Sequence, residues 1–301
     1  MGKIIITGGR GLVGRCFDSD RFFRSTSTNF TEKDNVRNYL QLAKADGIIH
    51  TAAKVGGVKS NMSFPADFTY QNLMMNTILI EEAKLAGIRK LISFASTCVF
   101  PDKSEYPLTP EQLHLGPPHQ SNYGYAYAKR MADVQIQAYR EQYGVNYFSV
   151  IPCNIYGPGD NYDLENGHVI PALIHKFYLA KERNEDVTIW GSGNPLREFI
   201  FSKDVAKLVE LLYDNYDSGV PVILSTGEEV SIGDMVSMIA EIFEFKGKII
   251  FDKDKPEGQF RKPSDNSIIK GMFPDFKFTP VKEGLRESVE WFISNYPNVR
   301  K

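Results

Sequence analysis

Residues 3–14 read KIIITGGRGLVG, and this stretch decides the fold class. The run from Lys3 to Thr7 is rich in β-branched residues with no polar alternation, which predicts a short strand buried on both faces, as in a parallel sheet. Gly8, Gly11 and Gly14 follow as G-x-x-G-x-x-G. Directly after a strand, such glycines permit a tight turn, close approach of backbone to a pyrophosphate, and tight packing of the next element on the sheet. Free N–H groups at a following helix start would then face the phosphates. A glycine-rich turn without a ligand is the alternative. The position straight after the first strand favours the dinucleotide.

Outward from this turn, only RCFDSDR separates Gly14 from the apolar pair Phe22 and Phe23, so the connection has room for barely two helical turns. The second strand then ends near Arg24. An acidic residue at this strand end would bond a ribose 2′-hydroxyl. Here the chain has Arg24, with Arg10 inside the glycine turn, and two guanidiniums favour a 2′-phosphate, hence NADP(H). GIIHT at 47–51 predicts a further buried strand, followed by the small-residue turn AAKVGG. KLISF at 90–94 predicts another, delivering Ser96, Thr97 and Cys98 at its C-terminal end, where ligands bind in doubly wound sheets. Residues 72–86 have helical periodicity, and 146–152 read as a strand.

Tyr125 and Lys129 form Y-x-x-x-K inside a helix that extends to about Tyr143, so both side chains share one face. An ammonium one turn away is expected to pull the phenol below its usual value of about 10. A tyrosine so tuned exchanges a proton with a carbonyl or alcohol oxygen. The surface pair is the alternative for this motif alone. After Asp160 the strand–helix alternation breaks. The pattern predicts an α/β, Rossmann-type, doubly wound parallel sheet with a smaller C-terminal α+β substrate domain. The expected division is 1–157, with about 186–217, for the NADP-binding unit, and 158–185 with 218–301 for the substrate unit.

The 301 residues carry a formal charge of −2, which makes no case for nucleic acid or a membrane surface. No apolar run approaches the roughly 20 residues needed to span a bilayer. The start MGKIIITGG enters a strand at once and is expected to hold no signal peptide. Cys16, Cys98 and Cys153 are odd in number and widely spaced, which suggests reduced thiols in the cytoplasm. The histidines have no metal-ligand spacing, so no metal is expected.

TGGRGLVG, AAKVGG, STCVFP, YAYAK, NIYGPGDN, HVIPALIHK and WGSGNPLREF, in this order, resemble the extended short-chain dehydrogenase/reductases. Within them the likeness is to enzymes that epimerise GDP-4-keto-6-deoxy-D-mannose at C3 and C5, then reduce C4 with NADPH. The resemblance implies Ser96, Tyr125 and Lys129 as the reductase triad, and Cys98 and His168 as the epimerase pair. It implies a cofactor grip from Gly8, Gly9, Arg10, Gly11, Leu12, Val13, Gly14 and Arg24. Ala52, Ala53, Ala95, Lys129, Pro152, Asn154, Ile155 and His168 complete that grip. Lys176, Trp190, Arg197 and Glu257 fall where the GDP-sugar is held, and Arg261 and Lys262 stand near phosphate. Such enzymes are typically homodimers, here through the helices at 72–86 and 125–143. The chemistry is coherent, since carbons beside a ketone lose protons to a side-chain base, and inversion needs an acid on the opposite face. The rival readings are a nucleotide-sugar 4-epimerase or 4-ketoreductase, which needs no Cys98 or His168, and a non-catalytic NADP sensor, which needs no triad.

Overall fold

The computed structural model describes residues 3–18, 20–255 and 260–301. The chain begins with strand β1 (Ile4–Thr7), β2 (Phe22–Arg24), helix α1 (Lys33–Ala43), β3 (Gly47–His50), α2 (Val58–Ser63) and α3 (Pro65–Leu85). It continues through β4 (Lys90–Phe94), α4 (Tyr123–Tyr143), β5 (Asn146–Pro152), β6 (Asn154–Tyr156) and α5 (Val169–Arg183). Then come β7 (Val187–Trp190), β8 (Leu196–Phe201), α6 (Ser202–Asn215), β9 (Val222–Leu224) and β10 (Glu229–Ser231). Helix α7 (Ile232–Ile242), β11 (Ile249–Asp252), α8 (Ser267–Met272) and α9 (Val281–Asn295) close the chain.

Among the described residues the main sheet has six strands in the order β2-β1-β3-β4-β5-β9, all paired in parallel. Alternate side chains of each strand go to opposite faces. Ile4 and Ile6 join Ile49, Ile92 and Phe148 against Val205, Leu208 and Leu212 of α6. Ile5, Ile48, Leu91 and Tyr147 meet Leu79 and Ile80 of α3, and Ala132 and Ile136 of α4. Covering both faces is what makes these strands read as unbroken apolar runs. The order reverses between β1 and β3, so the C-terminal ends of β1, β3 and β4 open onto one crevice.

The connection after the glycine turn is shorter than expected. It holds one 3-10 turn, Gly14–Cys16, and no two-turn helix. Phe17, 1% exposed, plugs the space where a crossover helix would pack, edge-on to Phe22 at 5.2 Å between ring centroids. The expected division of the chain also needs correcting strand by strand. β7 pairs with β11, and β8 with β6 and β10, so the strands of 186–201 lie outside the main sheet. Helix α6 does cover that sheet, and β9, from the stretch assigned to the substrate unit, is its sixth strand. The reason is partnership at long sequence distance, since Val187 pairs with Ile249 and Val150 with Val222. The smaller unit has its own core, built on Ile170, Leu173, Phe177, Ile239, Leu285 and Phe292. Among the described residues no helix is long and apolar enough to cross a membrane.

Candidate active site

A cavity of about 910 Å³ follows the C-terminal ends of the strands. At one end Gly8, Arg10, Gly11, Leu12 and Val13 form its wall. Gly8 has φ +67°, and the Gly11 N–H donates to its carbonyl at 2.8 Å, closing the turn. A Cβ at Gly14 would lie 2.3 Å from the Gly8 carbonyl oxygen, so any side chain there would force the turn apart. Gly9 and Gly14 shape the turn without reaching the wall. Arg24 does not reach it either, because its guanidinium donates to the Arg15 carbonyl at 3.1 Å. Ala52, Ala53 and Ala95 line it as well, as do Pro152, Asn154 and Ile155.

Helix α4 is brought close to α3 by small residues. A Cβ on Gly124 would stand 2.7 Å from the Pro65 carbonyl oxygen. This packing places Tyr125 and Lys129 in the cavity wall, with Lys129 Nζ 5.9 Å from the Tyr125 ring centroid. The expected depression of the phenol is not found. Burial dominates and pushes Tyr125 well above its ordinary value, and the nearby Cys98 adds to the rise. Burial also lowers the Lys129 ammonium, to about 8. Without a ligand, loss of water outweighs the attraction of the pair. Lys129 Nζ is buried and has no hydrogen-bond partner, an open donor that sugar hydroxyls would satisfy.

Beneath α4 runs a buried chain that sequence reasoning missed. The Ala52 N–H donates to Thr7 Oγ1 at 3.1 Å, and Thr7 Oγ1 lies 2.7 Å from His50 Nδ1. His50 Nε2 lies 3.0 Å from Asn76 Oδ1, and Asn76 Nδ2 donates to the Ala128 carbonyl at 3.3 Å. Asn76 accepts at its oxygen and donates at its nitrogen, so His50 carries its proton on Nε2 and Thr7 donates to Nδ1. Burial, reinforced by Lys129, holds His50 down at about 3. The only sequence signal was a polar residue closing the apolar run GIIH.

The strand end of β4 supplies Ser96, whose Oγ accepts from the Cys98 N–H at 3.5 Å, and a 3-10 turn, Thr97–Val99, points Cys98 into the cavity. Burial raises the thiol, while Ser96, Lys262, Asn122 and Lys129 pull it back toward the thiolate. Lys262 lines the same cavity, and burial lowers its ammonium. Arg261 instead pairs with Glu229, Nε to Oε2 at 2.6 Å. Arg197 lines the cavity, with its Nη1 donating to the Leu196 carbonyl at 2.7 Å, and burial lowers it.

His168 stands at the N-cap of α5 but makes no side-chain cap bond, and it lines the cavity. Lys176 and Trp190 lie outside the wall, forming their own surface cluster. Lys176 Nζ is 5.7 Å and Lys255 Nζ 5.9 Å from the Trp190 ring, which is 62% exposed. That platform suits a flat base. Glu257 lies outside the described residues. Among the described residues no three His, Cys, Asp or Glu side chains group as a metal site. The cavity thus brings a phenol, an ammonium, a thiol and an imidazole into one wall with the glycine turn. That set can move protons at a carbon and at an oxygen of one ligand.

The model of the NAD dependent epimerase/dehydratase family matches residues 4–233. A GDP-L-fucose synthase of Dictyostelium discoideum is 46% identical, covering 99% of this chain and 97% of its own. A probable GDP-L-fucose synthase of Drosophila melanogaster is 40% identical over the whole of both chains. The crystal structure of a GDP-L-fucose synthetase from Naegleria fowleri bound to NADP superposes with a TM-score of 0.92 at 37% identity, covering 99% of this chain and 96% of that one. A family model across most of the chain, and relatives alike along its full length, agree with the parallel sheet and its glycine turn: the chain belongs to the NAD dependent epimerase/dehydratase family.

Proposed function

We infer that the protein epimerises GDP-4-keto-6-deoxy-D-mannose at C3 and C5 and reduces C4 with NADPH, forming GDP-L-fucose. Full-length similarity to GDP-L-fucose synthases supports the activity, and likeness to the NADP-bound structure supports the cofactor. The observation that carries the reading is one cavity lined at once by Ser96, Tyr125 and Lys129 and by Cys98 and His168. A plain reductase or 4-epimerase needs only the first three.

The division of roles is our reading of the geometry. The glycine turn and Arg10 would hold the cofactor phosphates, and the unpartnered Lys129 Nζ its ribose hydroxyls. Bound NADPH supplies the hydride for C4. Cys98, as thiolate, takes the proton from C3 or C5, and His168, as imidazolium, returns one to the opposite face. Lys262, facing the thiol, stabilises its thiolate. Ser96 and Tyr125 hold the C4 oxygen, and Tyr125 gives it a proton as reduction completes. Trp190 and Lys176 would take the guanine end of the substrate, with Arg197 and Glu257 nearer the phosphates or sugar. The chain pairs with a second copy through α3 and α4, where Tyr70, Tyr127, Met131 and Val134 stand exposed. Its unpaired thiols suit a reducing compartment, the cytoplasm.

The test is NADPH oxidation with GDP-4-keto-6-deoxy-D-mannose, with the product identified by NMR. GDP-L-fucose is expected. A product retaining the substrate's C3 and C5 configuration would favour a simple ketoreductase. A monomer by light scattering at micromolar concentration would rule out the pairing.

A further inference from the structure

The loop between β6 and α5 forms one wall of the cavity and is closely tied by hydrogen bonds. The Asn161 N–H donates to Asp160 Oδ1 at 2.7 Å, and the Asn166 N–H to Asp163 Oδ1 at 2.6 Å. The Tyr162 N–H donates to the Arg300 carbonyl at 2.9 Å, and the Gly57 N–H to the Asn166 carbonyl at 2.8 Å. Within this tied loop Asp160 Oδ2 is buried without a hydrogen-bond partner, on a residue 4% exposed. A buried carboxylate oxygen left open is costly, so its retention calls for a side chain that turns to it in use. Asp160 and His168 line the same cavity. Of the charges facing Asp160, His168 acts most strongly, ahead of Arg300 and Arg15.

We propose that Asp160 is the positioning residue of His168: its open oxygen accepts one imidazole N–H and aims the other ring nitrogen at the sugar. The proposal rests on the reading of His168 as proton donor. An imidazolium has two N–H groups, so one is held by Asp160 while the second delivers its proton to carbon. After delivery the ring keeps the N–H on Asp160 and presents its lone pair to the sugar, which fixes the tautomer for the next cycle. Burial drives Asp160 toward its neutral form, and His168, Arg300 and Arg15 oppose this. Carboxylate and imidazolium therefore stabilise each other.

Inversion at C3 and C5 of GDP-4-keto-6-deoxy-D-mannose in the absence of NADPH, followed by NMR across a pH series, tests this. The proteins are the unmodified chain, Asp160→Asn, His168→Asn and the double variant. Asp160→Asn is isosteric and keeps an oxygen for the Asn161 N–H. It should slow inversion by about 10-fold, short of the about 10²-fold or greater loss in His168→Asn. It should also move the alkaline limb of the profile about one pH unit lower. In the His168→Asn background it should add nothing. An unmoved alkaline limb, or losses that multiply in the double variant, would overturn the proposal. Normal inversion by His168→Asn would instead overturn the proton-donor reading beneath it. Should Asp160→Asn not fold, Asp160→Glu serves: a slower rate with the limb retained supports the proposal, and a limb shifted as if uncharged refutes it.

Discussion

Tyr125 and Lys129 occupy two turns of a 21-residue helix packed on the sheet and locked through Ala128, Asn76, His50 and Thr7. Cys98 and His168 occupy a three-residue 3-10 turn and the first position before a helix, each placed by a loop. The first pair is set by the core, so its geometry is stiff and nearly independent of ligand. The second is set by loops and lines the same cavity. The contrast fits the two tasks we assign. Hydride transfer needs one fixed distance and angle, whereas inversion at the two carbons flanking C4 needs groups that serve both positions.

The sharpest way to break the contrast is to remove one function and leave the other. Tyr125→Phe should cut NADPH oxidation by about 10³-fold while sparing most deuterium exchange at C3 and C5, because the phenol protonates oxygen as hydride arrives. Loss of both to the same degree would merge the two sides into one. Cys98→Ser should do the reverse. An alcohol is no base near neutral pH, so GDP-L-fucose output should fall by about 10²-fold or more while NADPH still binds. Slow formation of an unepimerised reduced sugar would strengthen the division. Near-normal output by chromatography would leave Cys98 as a packing residue.

A third effect separates the two sides by pH. His50 is held at about 3 in the fold, below its usual value of about 6.5. Its contribution is complete above pH 6.5. It is lost as pH falls toward 3, because the unfolded chain then takes up a proton that the folded chain refuses. At pH 5 the loss is about 2 kcal/mol. Urea unfolding at pH 6.5 and pH 5 should show this drop, and His50→Gln should flatten the slope. Equal slopes would mean the network is not what titrates.

The difference in construction also explains what could be read from the chain. IIIT, GIIH and NYFSVIP are runs buried on both faces, so periodicity alone exposes them. VTIW reads as a short strand, but it finds its partner about sixty residues on, and VIL is too short for a pattern, so the pairing of the smaller sheets and the sixth strand stayed hidden. Y-x-x-x-K and STC were legible because helical and strand-end spacing are local. Asp160 and the His50 chain depend on contacts made across the fold, and no local spacing marks them. The raised phenol was missed for the same reason, since burial is a property of the packed molecule.

The smallest effect concerns the cofactor end, where the sequence weighed Arg10 and Arg24 equally and the structure does not. Arg10 lines the cavity, while Arg24 turns its guanidinium to the Arg15 carbonyl and leaves the wall. Around the end of β2 the wall is made of Ser25, Thr26, Thr28 and Asn29, all neutral. None repels a 2′-phosphate as a carboxylate would, and none supplies charge. On our reading Arg10 is the guanidinium that meets that phosphate. A charge-assisted hydrogen bond at a partly exposed site contributes about 1.5 kcal/mol, or about 10-fold in affinity. Arg10→Ala should therefore raise the KM for NADPH by about 10-fold with little change for NADH. Arg24→Ala should change either cofactor by less than about 3-fold, acting only through the turn it braces. Steady-state kinetics with both cofactors decides the matter. A larger NADPH defect in Arg24→Ala would show that this side chain swings into the cavity when the phosphate arrives. Equal loss of NADH and NADPH in Arg10→Ala would reduce Arg10 to a structural part of the glycine turn.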